Sequence, residues 1–444
     1  MTPAQRAGAI PAVPPFHDEW SDANSPLEHS SQAEAGVHWT SAGRRVELTG
    51  SAVGGLETAI CGPLRLESGP LLISAGIPLQ PAGLHATPSE VRRAFRGAEH
   101  RSVERWFAAL NDGVAFRQLD LPGTVAFEQT WTARAAGRTF VTAIDPNGQV
   151  ALITSDESGA RMLLALDAGR LESAVTEPGA AALRVSARGS LRLMVVTGAD
   201  ADDLDRSLQV VARRGFTGLR SQRVQHERLL REYGSGLSTP FDRLDTAFEW
   251  AKVRADETVR ATGSVAAAEA LLTVGLRDGA RELVKGGCRA VQAAWSHWTG
   301  EQMIAPEAPP PLPSAASPAR ESPDRAADLA PDRLLRWVTG SLWGLVADAP
   351  RGAVALAPRL PEGWTHMALS RIRVGRSAID CVARARGDGL TVRVRRASGP
   401  PLTLTVAAPG VPSERITVDG IELGGGRARF EAVGEHEVGF GSAA

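Results

Sequence analysis

The run Leu191-Arg192-Leu193-Met194-Val195-Val196-Thr197-Gly198-Ala199-Asp200-Ala201-Asp202-Asp203-Leu204-Asp205-Arg206-Ser207-Leu208 is where the chain changes period. Through Val196 it is a short apolar stretch of strand type. From Asp202 the apolar residues Leu204, Leu208 and Val211 recur at helical spacing. A β-rich part therefore ends near residue 198 and a helical part begins.

Upstream, short apolar or alternating runs recur from Val37 onward. They include Leu64 to Leu66, Pro70 to Ile73, Val125 to Trp131, Phe140 to Ile144, Val150 to Ile153 and Met162 to Leu166. Turn sequences such as Asp145-Pro146-Asn147-Gly148 and Asp156-Glu157-Ser158-Gly159 separate them. Regularly spaced strands with turn signals predict an antiparallel sandwich over 36–198, with a helix interrupting it near 89–111. Residues 1–35, rich in Pro, Ser and acids, read as a flexible arm.

Downstream, 202–213 and 220–233 read as two connector helices within 199–238, ending before Gly234-Ser235-Gly236. Thr239 is the expected N-cap of the next helix, with Pro240 as its first residue. Its apolar stripe is Leu244, Phe248, Ala251, Ala255 and Val259, and it should stop before Gly263. Ser264 caps a short helix that ends at Gly275. A third helix spans 278–298, weakened by Gly286-Gly287. Residues 305–330, with five prolines from Pro306 to Pro313, cannot build a core and read as a linker. A last helix covers 331–346. From Ala353 the pattern is β again, with hairpin turns at Gly387-Asp388-Gly389 and Asp419-Gly420. Gly424-Gly425-Gly426 precedes no helix, which argues against a phosphate loop. The fold class is therefore α+β and multidomain: an N-terminal antiparallel β-sandwich, a short α-helical hairpin region over 239–346, and a small C-terminal β-sandwich over 347–444.

Composition narrows the function. The 444 residues carry a formal net charge of −1, and nothing in that balance suggests a nucleic-acid or anionic-membrane partner. Only Lys252 and Lys285 are lysines; arginine supplies the other basic side chains. Arg393, Arg395 and Arg396 fit the wet face of a strand. Cys61, Cys288 and Cys381 are three scattered residues, not a disulfide framework. No apolar run approaches the roughly 18 residues of a membrane span, and the first 20 residues hold no signal-type apolar core. A cytoplasmic location is the expectation. His17-Asp18-Glu19 and His297 have no metal-ligand partners at the right spacing, and Ser341 and Ser377 lack a nucleophile-elbow setting. No metal and no cofactor are expected.

Several local patterns resemble one family. Leu342-Trp343-Gly344-Leu345, Asp348-Ala349-Pro350 and Leu356-Ala357-Pro358-Arg359-Leu360-Pro361-Glu362-Gly363-Trp364 are similar to the exit from the helical barrel in glycogen-debranching-type (amylo-α-1,6-glucosidase-like) glycoside hydrolases and their six-hairpin relatives. Ile372-Arg373-Val374-Gly375 continues the match. Phe248-Glu249-Trp250-Ala251-Lys252 resembles the first barrel helix, and 268–282 an early hairpin. The resemblance implies a sugar-cleaving (α/α)6 barrel packed on the N-terminal sandwich. Such a barrel needs on the order of 190 residues of helices and connections. Residues 239–346, less the linker, have room for four helices, so most of the barrel is missing.

Glycoside hydrolysis uses two carboxylates across the scissile bond, one protonating the leaving oxygen and one activating water or attacking. The family's Arg-Asp pair would fall near Ser264-Val265, where no acid stands. The remaining candidate acids are Glu249 and Asp256, two turns apart on one helix face, and Glu269 within an apolar run. Trp250, Trp295 and Trp298 are candidate sugar platforms. The expected partner is an oligo- or polysaccharide, with self-association or a protein partner covering apolar faces of the helical stub. A catalytically impaired homologue, an active minimal glycosidase and a non-catalytic sugar-binding or assembly protein are the readings the sequence supports.

Overall fold

The computed structural model describes residues 10–16 and 27–441 except 28, 33, 35, 62, 74–79, 97–100, 123–124, 136, 175–178, 302–321, 388, 412–414 and 425. Most of the 1–35 arm, with His17-Asp18-Glu19, and the greater part of the 305–330 linker lie outside the described residues. The chain divides into two compact units, Met1–Glu227 and Arg228–Ala444.

In the first unit a nine-stranded and an eight-stranded sheet, each built of antiparallel neighbours, form a sandwich. Their shared core includes Trp39, Leu48 and Leu66 from one sheet and Leu84, Val91 and Leu119 from the other. The outer face of the nine-stranded sheet is covered as well. Helix α1 (Ala201–Tyr233) buries Leu204, Leu208, Val211, Phe216 and Leu219 against Phe107, Phe116, Leu163 and Met194. The two expected connector helices are thus one element, interrupted at Gly215, where φ is 63° and ψ 178°.

The helix expected near 89–111 is not there; that stretch forms the strands Val91–Arg96 and Arg101–Ala108. The physical reason is double coverage. Trp106 faces the sandwich core while Phe107 packs toward α1, so apolar and polar residues do not alternate. Arg93 and Glu104, pointing inward as an ion pair at 2.6 Å, further disguise the strand period.

In the second unit, helix α2 (Asp242–Thr262) ends at Gly263 in the left-handed conformation, as its sequence required. Its start differs from expectation: Pro240 and Phe241 precede the helix. Thr239 instead donates its hydroxyl to Asp245 at 2.9 Å and receives the Phe241 amide. Ser264 caps α3 (Val265–Thr273) by accepting the Ala267 amide. The single helix expected over 278–298 is two, α4 (Asp278–Lys285) and α5 (Arg289–Thr299), because Gly287 adopts φ +82°. Within the expected linker lies a short helix, Pro323–Ala326, with Ala326 buried; Pro331–Arg336 follows and runs into a wider turn over Trp337–Leu342.

A seven-stranded and a four-stranded sheet close the unit. Gly236–Ser238, read as the tail of the connector, pairs with His366–Val374 as an edge strand. Ile372, Val374, Ile379, Cys381, Val392 and Val394 alternate inward. The stretches Leu342–Leu345 and Leu356–Trp364 meet here. The Ala357 amide donates to the Trp343 carbonyl at 2.9 Å and the Arg359 amide to the Leu342 carbonyl at 2.8 Å. Trp343 is fully buried, so this motif acts as a structural clasp. No helix among the described residues is long and apolar enough to cross a membrane.

Candidate functional site

The three sequence candidates all sit on α2 and α3, each held by a basic neighbour. Glu249 bonds the Lys252 ammonium at 2.7 Å through Oε1 and pairs with Arg231 at 3.4 Å through Oε2. Lys252 is fully buried. It also donates to the Ser235 carbonyl at 2.8 Å and lies 5.4 Å from the Phe248 ring centre. Its position on the α2 apolar stripe, four residues after Phe248, is the sequence signal for that burial. Burial pushes the ammonium below its ordinary value; Glu249 opposes this.

Asp256 is 2% exposed and accepts Arg260 Nε at 2.7 Å. Helix α4 approaches it closely: a Cβ on Gly279 would stand 3.0 Å from Asp256 Oδ1. Glu269 pairs with Arg336 at 3.0 Å, and that guanidinium also donates to the Ala266 carbonyl. Glu249 and Asp256 share a helix but have different neighbours: the 231–235 segment for one, α4 for the other.

The aromatic candidates also have partners. The Arg254 guanidinium lies 5.4 Å from the Trp250 ring centre. Trp295 is buried and donates its indole N–H to Glu301 at 3.0 Å. Trp298 is 9% exposed, and its carbonyl accepts the Gly375 amide at 2.8 Å.

One acid escaped the sequence reading. Asp245, a turn before Glu249 on α2, is partly buried and accepts both the Thr239 amide and hydroxyl at 2.9 Å. Burial raises its carboxyl above the usual range, helped by the charges of Asp242 and Glu249; the Thr239 hydrogen bonds oppose the rise. It stands in the first turn of α2, where acids are common because they favour the helix dipole, so residue type alone does not mark it. Among the described residues no group of three or more His, Cys, Asp or Glu side chains is arranged to hold a metal ion.

No family model matches the chain, and no curated protein matches it. Solved structures do align with it. A human-microbiome protein described as a kojibiose phosphorylase shares 6% identity over 93% of this chain and 92% of its own, with a TM-score of 0.44. A GH92 inverting mannosidase from Bacteroides thetaiotaomicron shares 9% identity over 49% of this chain and 34% of its own, at 0.35. A second GH92 glycosyl hydrolase shares 11% over 48% and 38%, at 0.34.

Proposed function

We propose that the chain is a homologue of glycogen-debranching-type glycoside hydrolases, working in carbohydrate metabolism without hydrolysing sugars itself: a sugar-binding or assembly protein. The observation that carries this reading is the pairing of Glu249, Asp256 and Glu269 with Lys252, Arg260 and Arg336. A hydrolytic pair needs one carboxyl that delivers a proton and a second that meets water or the anomeric carbon. All three acids are engaged by neighbouring cations, an arrangement that suits a structural role. The Leu342–Leu345 and Leu356–Trp364 stretches supply the family link, and the short helical region agrees with a lost barrel.

A second reading, an active minimal glycosidase, draws on Asp245. A carboxyl raised above its ordinary value by burial, one turn from Glu249, has the ingredients of an acid and its partner.

Reducing-sugar release from branched dextrins and maltooligosaccharides, measured beside calorimetric binding of the same sugars, separates the two. Binding without release supports the first reading. Release that Asp245→Asn or Glu249→Gln abolishes would establish the second.

A further inference from the structure

Around Gly275, at the turn between α3 and α4, two arginines stand near each other, and among the described residues neither makes an ion pair. Arg373, near the end of strand His366–Val374, lays its stem across this glycine. A Cβ on Gly275 would be 3.3 Å from each of the Arg373 Cβ, Cγ and Cδ atoms. The Arg373 guanidinium lies 5.6 Å from the ring centre of Tyr233, the only tyrosine of the chain, which is 52% exposed. Arg277, two residues after Gly275, is half-buried and donates to the Gly375 carbonyl at 2.7 Å. Gly375 in turn follows Arg373 by two residues.

Both guanidinium groups are thus fixed by backbone and stem packing. Among the described residues no carboxylate is within ion-pair distance of either. The nearby Glu301 accepts the Trp295 indole N–H at 3.0 Å, and its charge acts on Arg277 from beyond ion-pair distance. Burial, and next the charge of Arg373, lower the Arg277 pKa, while Glu301 opposes this. Two like charges held together cost folding free energy, and an oxyanion arriving between them recovers it through charge-assisted, bidentate hydrogen bonds.

We propose that Arg277 and Arg373, with Tyr233 beside them, form a binding site for a sugar carrying a phosphate or carboxylate group. The arginines take the oxyanion, and the exposed aromatic ring packs on the apolar face of the sugar. The sugar half of this proposal rests on the carbohydrate reading above; the anion half stands on the arginines alone.

The test is calorimetric titration of the full chain with glucose 6-phosphate, glucuronate, glucose and inorganic phosphate. The two charged sugars distinguish phosphate from carboxylate as the preferred group. At least one of them should bind more tightly than glucose or phosphate, and binding should weaken with added salt. Arg277→Gln with Arg373→Gln should weaken it at least about tenfold, while Arg384→Gln, an exposed residue opposite His366 at the far end of the strand that carries Arg373, should not. Tyr233→Ala should weaken the charged sugar and leave phosphate unchanged. Should the double variant not fold, Arg373→Lys, which keeps the charge and loses the fork, takes its place with a smaller expected loss.

Failure of both charged sugars to bind, or binding that the arginine variants leave intact, overturns the proposal. Glucose binding as tightly as glucose 6-phosphate overturns the anion half and leaves the carbohydrate reading standing. Phosphate binding as tightly as either charged sugar overturns the sugar half.

Discussion

Arg117 lies in the sandwich interior, 5.0 Å from the Trp106 ring centre and 5.5 Å from that of Trp131, and it pairs with Glu104 at 2.6 Å. Glu104 also takes two N–H groups of Arg93, at 3.0 and 2.6 Å. Burial alone would raise the Glu104 carboxyl, but Arg93 and Arg117 outweigh it and hold the carboxyl below its usual value. A depressed folded pKa gives stability that is present above the unfolded value and lost as pH falls through the folded one. Urea midpoints measured down the acid range should therefore drop in the parent chain, and Glu104→Gln should flatten that drop. Glu104→Ala, which strands buried arginines, should cost about 3–5 kcal/mol. Lys252 behaves in the same direction in the alkaline range. Its folded pKa is depressed below 10.5, so the unfolded chain holds the proton more tightly between the two values. Stability should rise with pH through that window, and Lys252→Met should remove the rise. The inward Arg93, Glu104 and Arg117 also show why this part of the sandwich was illegible from sequence: the hydrophobic pattern has no term for a charge whose partner comes from a neighbouring strand.

Among the elements, those closed by local chemistry were the readable ones. Ser264 and Gly263 mark a helix boundary through a side-chain cap and a left-handed backbone, both written in residue type. Ser264→Ala should lower stability by about 1 kcal/mol in chemical denaturation. Thr239 misled because its hydroxyl is committed to Asp245, a tertiary choice that capping preference does not foresee. The Leu342–Leu345 clasp depends on its glycine. Gly344 has φ +54°, and a Cβ there would stand 2.6 Å from the Ala357 Cβ. Gly344→Ala should cost about 1–3 kcal/mol from backbone strain alone, with further loss from the clash, read as a fall in thermal midpoint. If Gly344→Ala leaves the midpoint unchanged, the clasp is not what holds the two stretches together.

For the whole molecule, the order of sandwich, helices and second sandwich was legible because the change from a period of two to one of 3.6 near residue 200 is strong. The candidate site was legible only in part. Glu249, Asp256 and Glu269 were visible as acids on helices, whereas the basic residues that occupy them come from one turn away or from distant segments such as Arg231 and Arg336. The central claim, that no acid pair remains to cleave a glycosidic bond, is tested most directly with an aryl α-glucoside whose leaving group departs without protonation. Such a substrate forgives a missing general acid and still requires a nucleophile or base. The account predicts nitrophenol release no faster than in buffer from acidic to neutral pH. Release proportional to protein concentration, and lost in Glu249→Gln or Asp256→Asn, would contradict it.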